Sequence, residues 1–360
     1  MDRRFFLSSL AATGFAAELD KGKSYPADWK KFADPATEFE AIRLTDPAYA
    51  SFLPAYYNRP FARRGGFLIF ASDRGGSLQA FRLDLKNGES KQLTQAQALN
   101  RGTLTLMPDE RSIVYFDGES LRQVFLSNLR DREVYRLAEG WELGEGSSLT
   151  GDGVSVVFVE RKGQISRLRL LGVARSGVST ILEGPAGMTH PMPRPRRAQI
   201  LYRDGDGLSL VNFDGKQNRK LKTAAGGIGS PAWSPNGKTI LYLNLPEDTR
   251  KLNGLRELTP DENVDKQVAP TSQFVHFGSN SDASVFAGAS RNRNSPHILI
   301  LLRQTRRELT ICEHRASDAA MAIPVFSPDS QKIYFQSDKH GKPALYRVHI
   351  ERFVEKTDES

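Results

Sequence analysis

Ser230–Leu243 reads SPAWSPNGKTILYL, and Ile323–Asp338 reads IPVFSPDSQKIYFQSD. Each opens on a residue followed by proline. A Ser-Pro-Asn-Gly or Ser-Pro-Asp-Ser turn comes next, and then an apolar run containing an aromatic residue. Proline fixes the backbone entering the turn, and Asn, Asp, Gly and Ser satisfy or relax the tight backbone that follows. The run after the turn is short and rich in Ile, Leu and Tyr, as a buried strand requires.

The same phrase recurs along the chain. An apolar pair or near-pair ending in an aromatic residue falls at Phe70, Tyr115, Phe158, Tyr202, Tyr242, Phe286 and Tyr334, with successive copies 40 to 48 residues apart. A turn precedes the run in most copies, as at Gly65-Gly66, Gly151-Asp152-Gly153 and Asn236-Gly237. Further strand-like text follows it, such as AFRLDL (80–85) and ALYRVH (344–349). A strand-rich period of this length is the signature of a β-propeller with one four-stranded blade per repeat. The fold predicted is all-β: seven antiparallel four-stranded blades over 38–352, favoured by the in-phase copies over an open two-sheet sandwich. The seventh repeat lacks a fourth strand, and EAIRLT (40–45) resembles the missing one, which predicts closure of the ring by an N-terminal strand. Blade five reads as the weakest, with poor alternation and a long loop within EDTRKLNGLRELTPDEN (247–263).

The 360 residues carry a net charge of +8, with Lys and Arg scattered rather than striped. No nucleic-acid reader motif is present, so the charge points to a basic surface or to an acidic ligand such as a polyuronate. No window approaches the roughly 18 apolar residues of a membrane span. The start, MDRRFFLSSLAATGFAAELD, has the outline of an export signal over 1–20, and Arg3-Arg4-Phe5-Phe6-Leu7 is twin-arginine-like, which predicts a periplasmic protein. Residues 353–360 read as a disordered tail. Cys312 is the single cysteine, so an intramolecular disulfide is excluded.

Counting back from each turn places His190, Ser230, His276 and Ile323 in one phase on the innermost strands, around one mouth of the channel. Two histidines without Cys, Asp or Glu make a poor metal set. Ser230 lies in GIGSPAW, which is not a nucleophile elbow. His297, His340 and His349 fall on outer strands or turns, and His314 ends a strand at a blade edge.

On these residues the chain resembles the oligogalacturonate lyases, seven-bladed propellers that cleave pectin fragments by β-elimination. IRLTDP is similar to that family's opening strand, and YYNRPFARRGGFLIFASDRGG to its first blade, with Tyr56 and Tyr57 as the paired aromatics. HPMPRP, LVNFDG, CEHRAS and FSPDSQKIYFQSD resemble later segments. The resemblance implies a histidine base for the C5 proton of a uronate, an arginine for the developing charge, and manganese or another divalent metal on the carboxylate. The family's base position falls on Ser230 and its arginine position on Gly207. Of the metal positions, one keeps His276, two fall on Met321 and Ile323, and one falls near Asp318. His190 and Arg194 match, as a base and a carboxylate partner that remain. Substrate binding is expected at His190, Arg194, His276, Tyr56 and Tyr57, and a metal, if held, at His276 and Asp318. The expectation is an oligogalacturonide lyase relative with a largely replaced site, acting on an acidic oligosaccharide. The alternative is a non-catalytic periplasmic propeller that binds an acidic saccharide or a protein partner, since SPDSQKIYFQSDKHGKPALYRV also resembles TolB propeller repeats.

Overall fold

Alternation along the second strand of each repeat builds the architecture. In Phe67–Ser72, Leu68 and Phe70 pack with Ile42, Leu44, Tyr334 and Leu345, whereas Ile69 and Ala71 pack with Ile113, Tyr115 and Val124. Successive side chains of a strand point to opposite faces, so one strand feeds two cores. Ser112–Asp117 repeats the division, with Ile113 and Tyr115 on one side and Val114 and Phe116 on the other. Both faces of every sheet are therefore covered by neighbouring sheets.

The computed structural model describes residues 20–248 and 250–350. Among these, seven antiparallel sheets form seven blades. Seven apolar clusters fill the seams between them, and the cluster holding Ile42, Leu68, Phe81 and Tyr334 joins the last blade to the first. The export signal and the tail read from the sequence lie outside the described residues, apart from Asp20. No helix among the described residues is long and apolar enough to cross a membrane.

Two blades exceed the four strands expected. Blade one gains Ser24–Tyr25, which pairs with Ser90–Gln92. Blade seven gains Lys30–Ala33, outside Glu40–Arg43, which itself pairs with the last strand through Ala41 opposite Val348 and Ile42 opposite Arg347. Blade five is regular: Gly254–Thr259 and Val264–Pro270 form its outer hairpin.

The turns explain the repeated wording. Ser234 Oγ accepts from Thr239 N at 3.0 Å, Asn236 Oδ1 accepts from Lys238 N at 2.9 Å, and Gly237 takes a left-handed φ of 69°. Ser327 Oγ and Asp329 Oδ1 accept from Lys332 N and Gln331 N in the same way, with Ser330 at φ 58°. The residue–proline pairs mark a second device. His190, Ser230 and Ile323 have φ of 48°, 44° and 38°, and the strand register slips between Thr189 and Met192 and between Gly229 and Ala232. The two slips, at His190 and Ser230, are bulges, which re-aim a side chain at a local cost. Blade three fills the equivalent position with Gly146 at φ 90°.

Candidate functional site

The bulges turn their side chains toward the hub, where the segment before the second strand of blade one crosses. Leu53 N donates to Gln336 Oε1 of blade seven at 2.7 Å, and Asn58 Nδ2 donates to the Gly102 carbonyl of blade two at 3.1 Å. Between these anchors Tyr56 and Tyr57 meet edge to face, with centroids 4.9 Å apart. Tyr56 packs on His276 at 4.8 Å and donates from its hydroxyl to the Pro231 carbonyl at 2.9 Å. Tyr57 packs on His190 at 6.0 Å. A Cβ on Gly146 would stand 2.7 Å from the Tyr57 hydroxyl and 2.8 Å from the His190 Cα, so this closeness needs glycine. The pair also faces a cavity of about 400 Å³, walled by Met192, Trp233, Phe277, Val325 and Phe326.

The structure thus brings together Tyr56, Tyr57, His190 and His276, with Ser230 on the strand between the two histidines. It also adds two groups that sequence reasoning missed. Glu145 Oε1 lies 3.5 Å from His190 Nε2. Arg203 donates to the Ile228 carbonyl at 2.7 Å, across the seam between blades four and five, close enough to act electrostatically on His190 and Tyr56. The signal for Glu145 was its place in GEGSS, one residue before the blade-three counterpart of His190. Arg203 carried none, because it sits on a second strand and only blade packing brings it inward.

Burial sets the charge states. It holds the His190 imidazole below its ordinary range; the Glu145 carboxylate opposes that shift and Arg203 reinforces it. His276, 8 % exposed, is pushed down to about 4 by burial. Burial raises both tyrosines, with Tyr57 adding to the shift at Tyr56 and Glu145 to that at Tyr57. At neutral pH the hub therefore presents two neutral imidazoles and two neutral phenols, beside the Arg203 and Glu145 side chains. Nδ1 of both histidines is buried without a hydrogen-bond partner.

Arg194 and Asp318 stand elsewhere. Arg194 is 2 % exposed and holds Asp261 with two nitrogens at 2.8 and 2.9 Å, while its Nε donates to the Gly237 carbonyl at 2.7 Å. Its guanidinium also faces the Trp233 ring at 4.9 Å. It ties blade four to blade five, and these bonds keep the Asp261 carboxyl below its usual range. Asp318 caps the short 3-10 turn Ala319–Met321 by accepting from Ala320 N at 2.9 Å. Gly207 leaves space into which Lys220 reaches, since a Cβ there would stand 2.7 Å from Lys220 Cε. His314 is buried within blade six, with Nε2 3.0 Å from the Ser290 carbonyl and Nδ1 accepting from Ala316 N. Among the described residues no three His, Cys, Asp or Glu side chains converge as a metal set. Met321 and Ile323 bring no hard donor to His276, so the residues present do not fit a firmly held manganese ion.

Known proteins align with this chain in sequence and in fold. The family described as oligogalacturonate lyase matches residues 19–167. The oligogalacturonide lyase of Pectobacterium atrosepticum is 25% identical, covering 92% of this chain and 98% of that protein. The oligogalacturonate lyase of Dickeya dadantii is 24% identical over the same shares. A solved oligogalacturonate lyase in complex with manganese superposes with a TM-score of 0.88 at 25% identity, covering 92% of this chain and 98% of that one. The Vibrio parahaemolyticus enzyme gives 0.87 at 23% identity, covering 93% of this chain and 100% of that one, and bears on the fold alone. Over nine-tenths of its length, in sequence and in fold, this seven-bladed propeller is similar to the oligogalacturonate lyases.

Proposed function

We propose that the chain binds an oligogalacturonide at the hub and cleaves it by β-elimination, with His190 as the base. One observation carries the reading: a neutral, partly exposed imidazole lies beside an arginine and two phenols at the hub of a chain related to such lyases. Elimination breaks the C5–H bond, forms the C4–C5 double bond with that electron pair, and releases the C4 oxygen, which takes up a proton. Proton removal next to a carboxylate is slow unless its charge is countered. Arg203 supplies a fixed positive charge beside His190. Nε2 is the reachable nitrogen of His190, since Nδ1 is buried. Glu145, 3.5 Å away, stabilises the imidazolium that proton transfer creates. Tyr56 and Tyr57 offer an aromatic face to the sugar ring. Tyr57 keeps its proton because burial raises its pKa, and it serves as a hydrogen-bond donor. The twin-arginine-like start supports a periplasmic site of action.

Incubation with trigalacturonate should generate the absorbance of an unsaturated uronate, and His190→Ala should lower the rate by at least about a hundredfold. Activity should fall on acidification below pH 6.5, because His190 titrates below that value and the base must be unprotonated. No absorbance above buffer, with no heat of binding in calorimetry, would overturn the reading.

A further inference from the structure

We infer that the positive charge facing the substrate carboxylate in this hub comes from Arg203 rather than from a bound divalent ion, so that saccharide binding is indifferent to chelators. The inference rests on the reading of the hub as an acidic-saccharide site.

The donors around His276 are the first ground. Tyr56 covers one side of its ring, and the short turn carrying Met321 packs against its strand. A thioether is a soft ligand, poorly matched to manganese or magnesium, and an isoleucine has no donor at all. Asp318 already caps the turn at its foot. Ser230, on the adjacent blade, adds one neutral hydroxyl. A hard dication held by one imidazole would keep most of its water and bind weakly.

Arg203 is the second ground. One nitrogen, Nη2, is fixed on the Ile228 carbonyl, which places the guanidinium two residues from Ser230. No ion pair of Arg203 occurs among the described residues, so a carboxylate that enters meets an unneutralised cation. Arg194, four residues beyond His190, is unavailable because Asp261 already holds it. A guanidinium has five donors in a planar fork that matches a carboxylate, and one anchoring bond leaves the rest of the fork free. Glu145 is the opposing charge at the hub, and its carboxylate faces His190 rather than Arg203 in the contacts present.

The test is calorimetry of trigalacturonate with the full chain, in chelator and in manganese. The expected Kd agrees within about twofold between the two conditions, and Arg203→Met weakens binding at least about tenfold in both. Arg203→Lys should retain part of the affinity, and Lys216→Met, in the exposed outer turn of blade four, should change nothing. A thermal melt of each variant separates lost binding from lost folding. Heat seen only with manganese, or wild-type affinity in a folded Arg203→Met, would overturn the inference and leave the saccharide reading standing. Absence of heat in both conditions would overturn that reading and this inference with it.

Discussion

At the scale of single residues, His276 couples the hub to pH. Its folded pKa of about 4 lies below the ordinary 6.5, so the unfolded chain binds the proton that the folded chain refuses. The stabilisation is complete above pH 6.5 and is lost as pH falls toward 4, by roughly 3 kcal/mol in all. His276→Gln should flatten this part of the stability profile, measured by urea unfolding between pH 4 and 7. Glu160 is a second sensitive residue. It is fully buried, accepts from the Tyr135 hydroxyl at 2.6 Å, and pairs with Arg167 and Arg169. Glu160→Leu strands those arginines and should cost about 3–5 kcal/mol in the same assay. The sequence located His190 and His276 because a fixed count from the turn sets their phase. It could not locate Arg203, whose inward reach depends on the angle between two blades, nor show that Arg194, in the same text as His190, turns into the seam toward Asp261.

Each bulge is an element that spends backbone strain to aim one side chain. A left-handed φ costs a non-glycine residue roughly 1–2 kcal/mol, and the cost recurs at His190, Ser230 and Ile323. Blade three avoids it with Gly146, whose missing side chain admits Tyr57 and His190. Gly146→Ala should push both rings away. The expected result is a raised KM for trigalacturonate and a loss of stability of about 2 kcal/mol, read by steady-state kinetics and thermal unfolding. The turn motif was legible as a repeat because proline and Asx residues mark it. The bulge was not, since a slip of register leaves no residue type of its own; only His-Pro, Ser-Pro and Ile-Pro in one phase hinted at it. The outermost strands Ser24–Tyr25 and Lys30–Ala33 were equally silent, being short and half-polar.

For the whole molecule, the seam between blades seven and one decides whether the ring holds. Ile42 and Leu44 enter that seam from one side, and Leu68 and Phe70 from the other. Ile42→Ala opens a cavity there and should cost about 2–4 kcal/mol, with a lower thermal midpoint as the readout. The ring as a whole was the most legible feature, because seven spaced aromatic runs fix a period without any knowledge of contacts. The pairing of Glu40–Arg43 with Ala344–His349 joins segments some three hundred residues apart in the chain. Such a contact cannot form during synthesis until the ribosome has released nearly the entire polypeptide. Six blades must therefore wait, with one edge of the growing arc unpaired, for the final hairpin to emerge. A transport route for folded cargo could take this protein only after that last step, whereas a threading route would postpone the same step to the far side of the membrane.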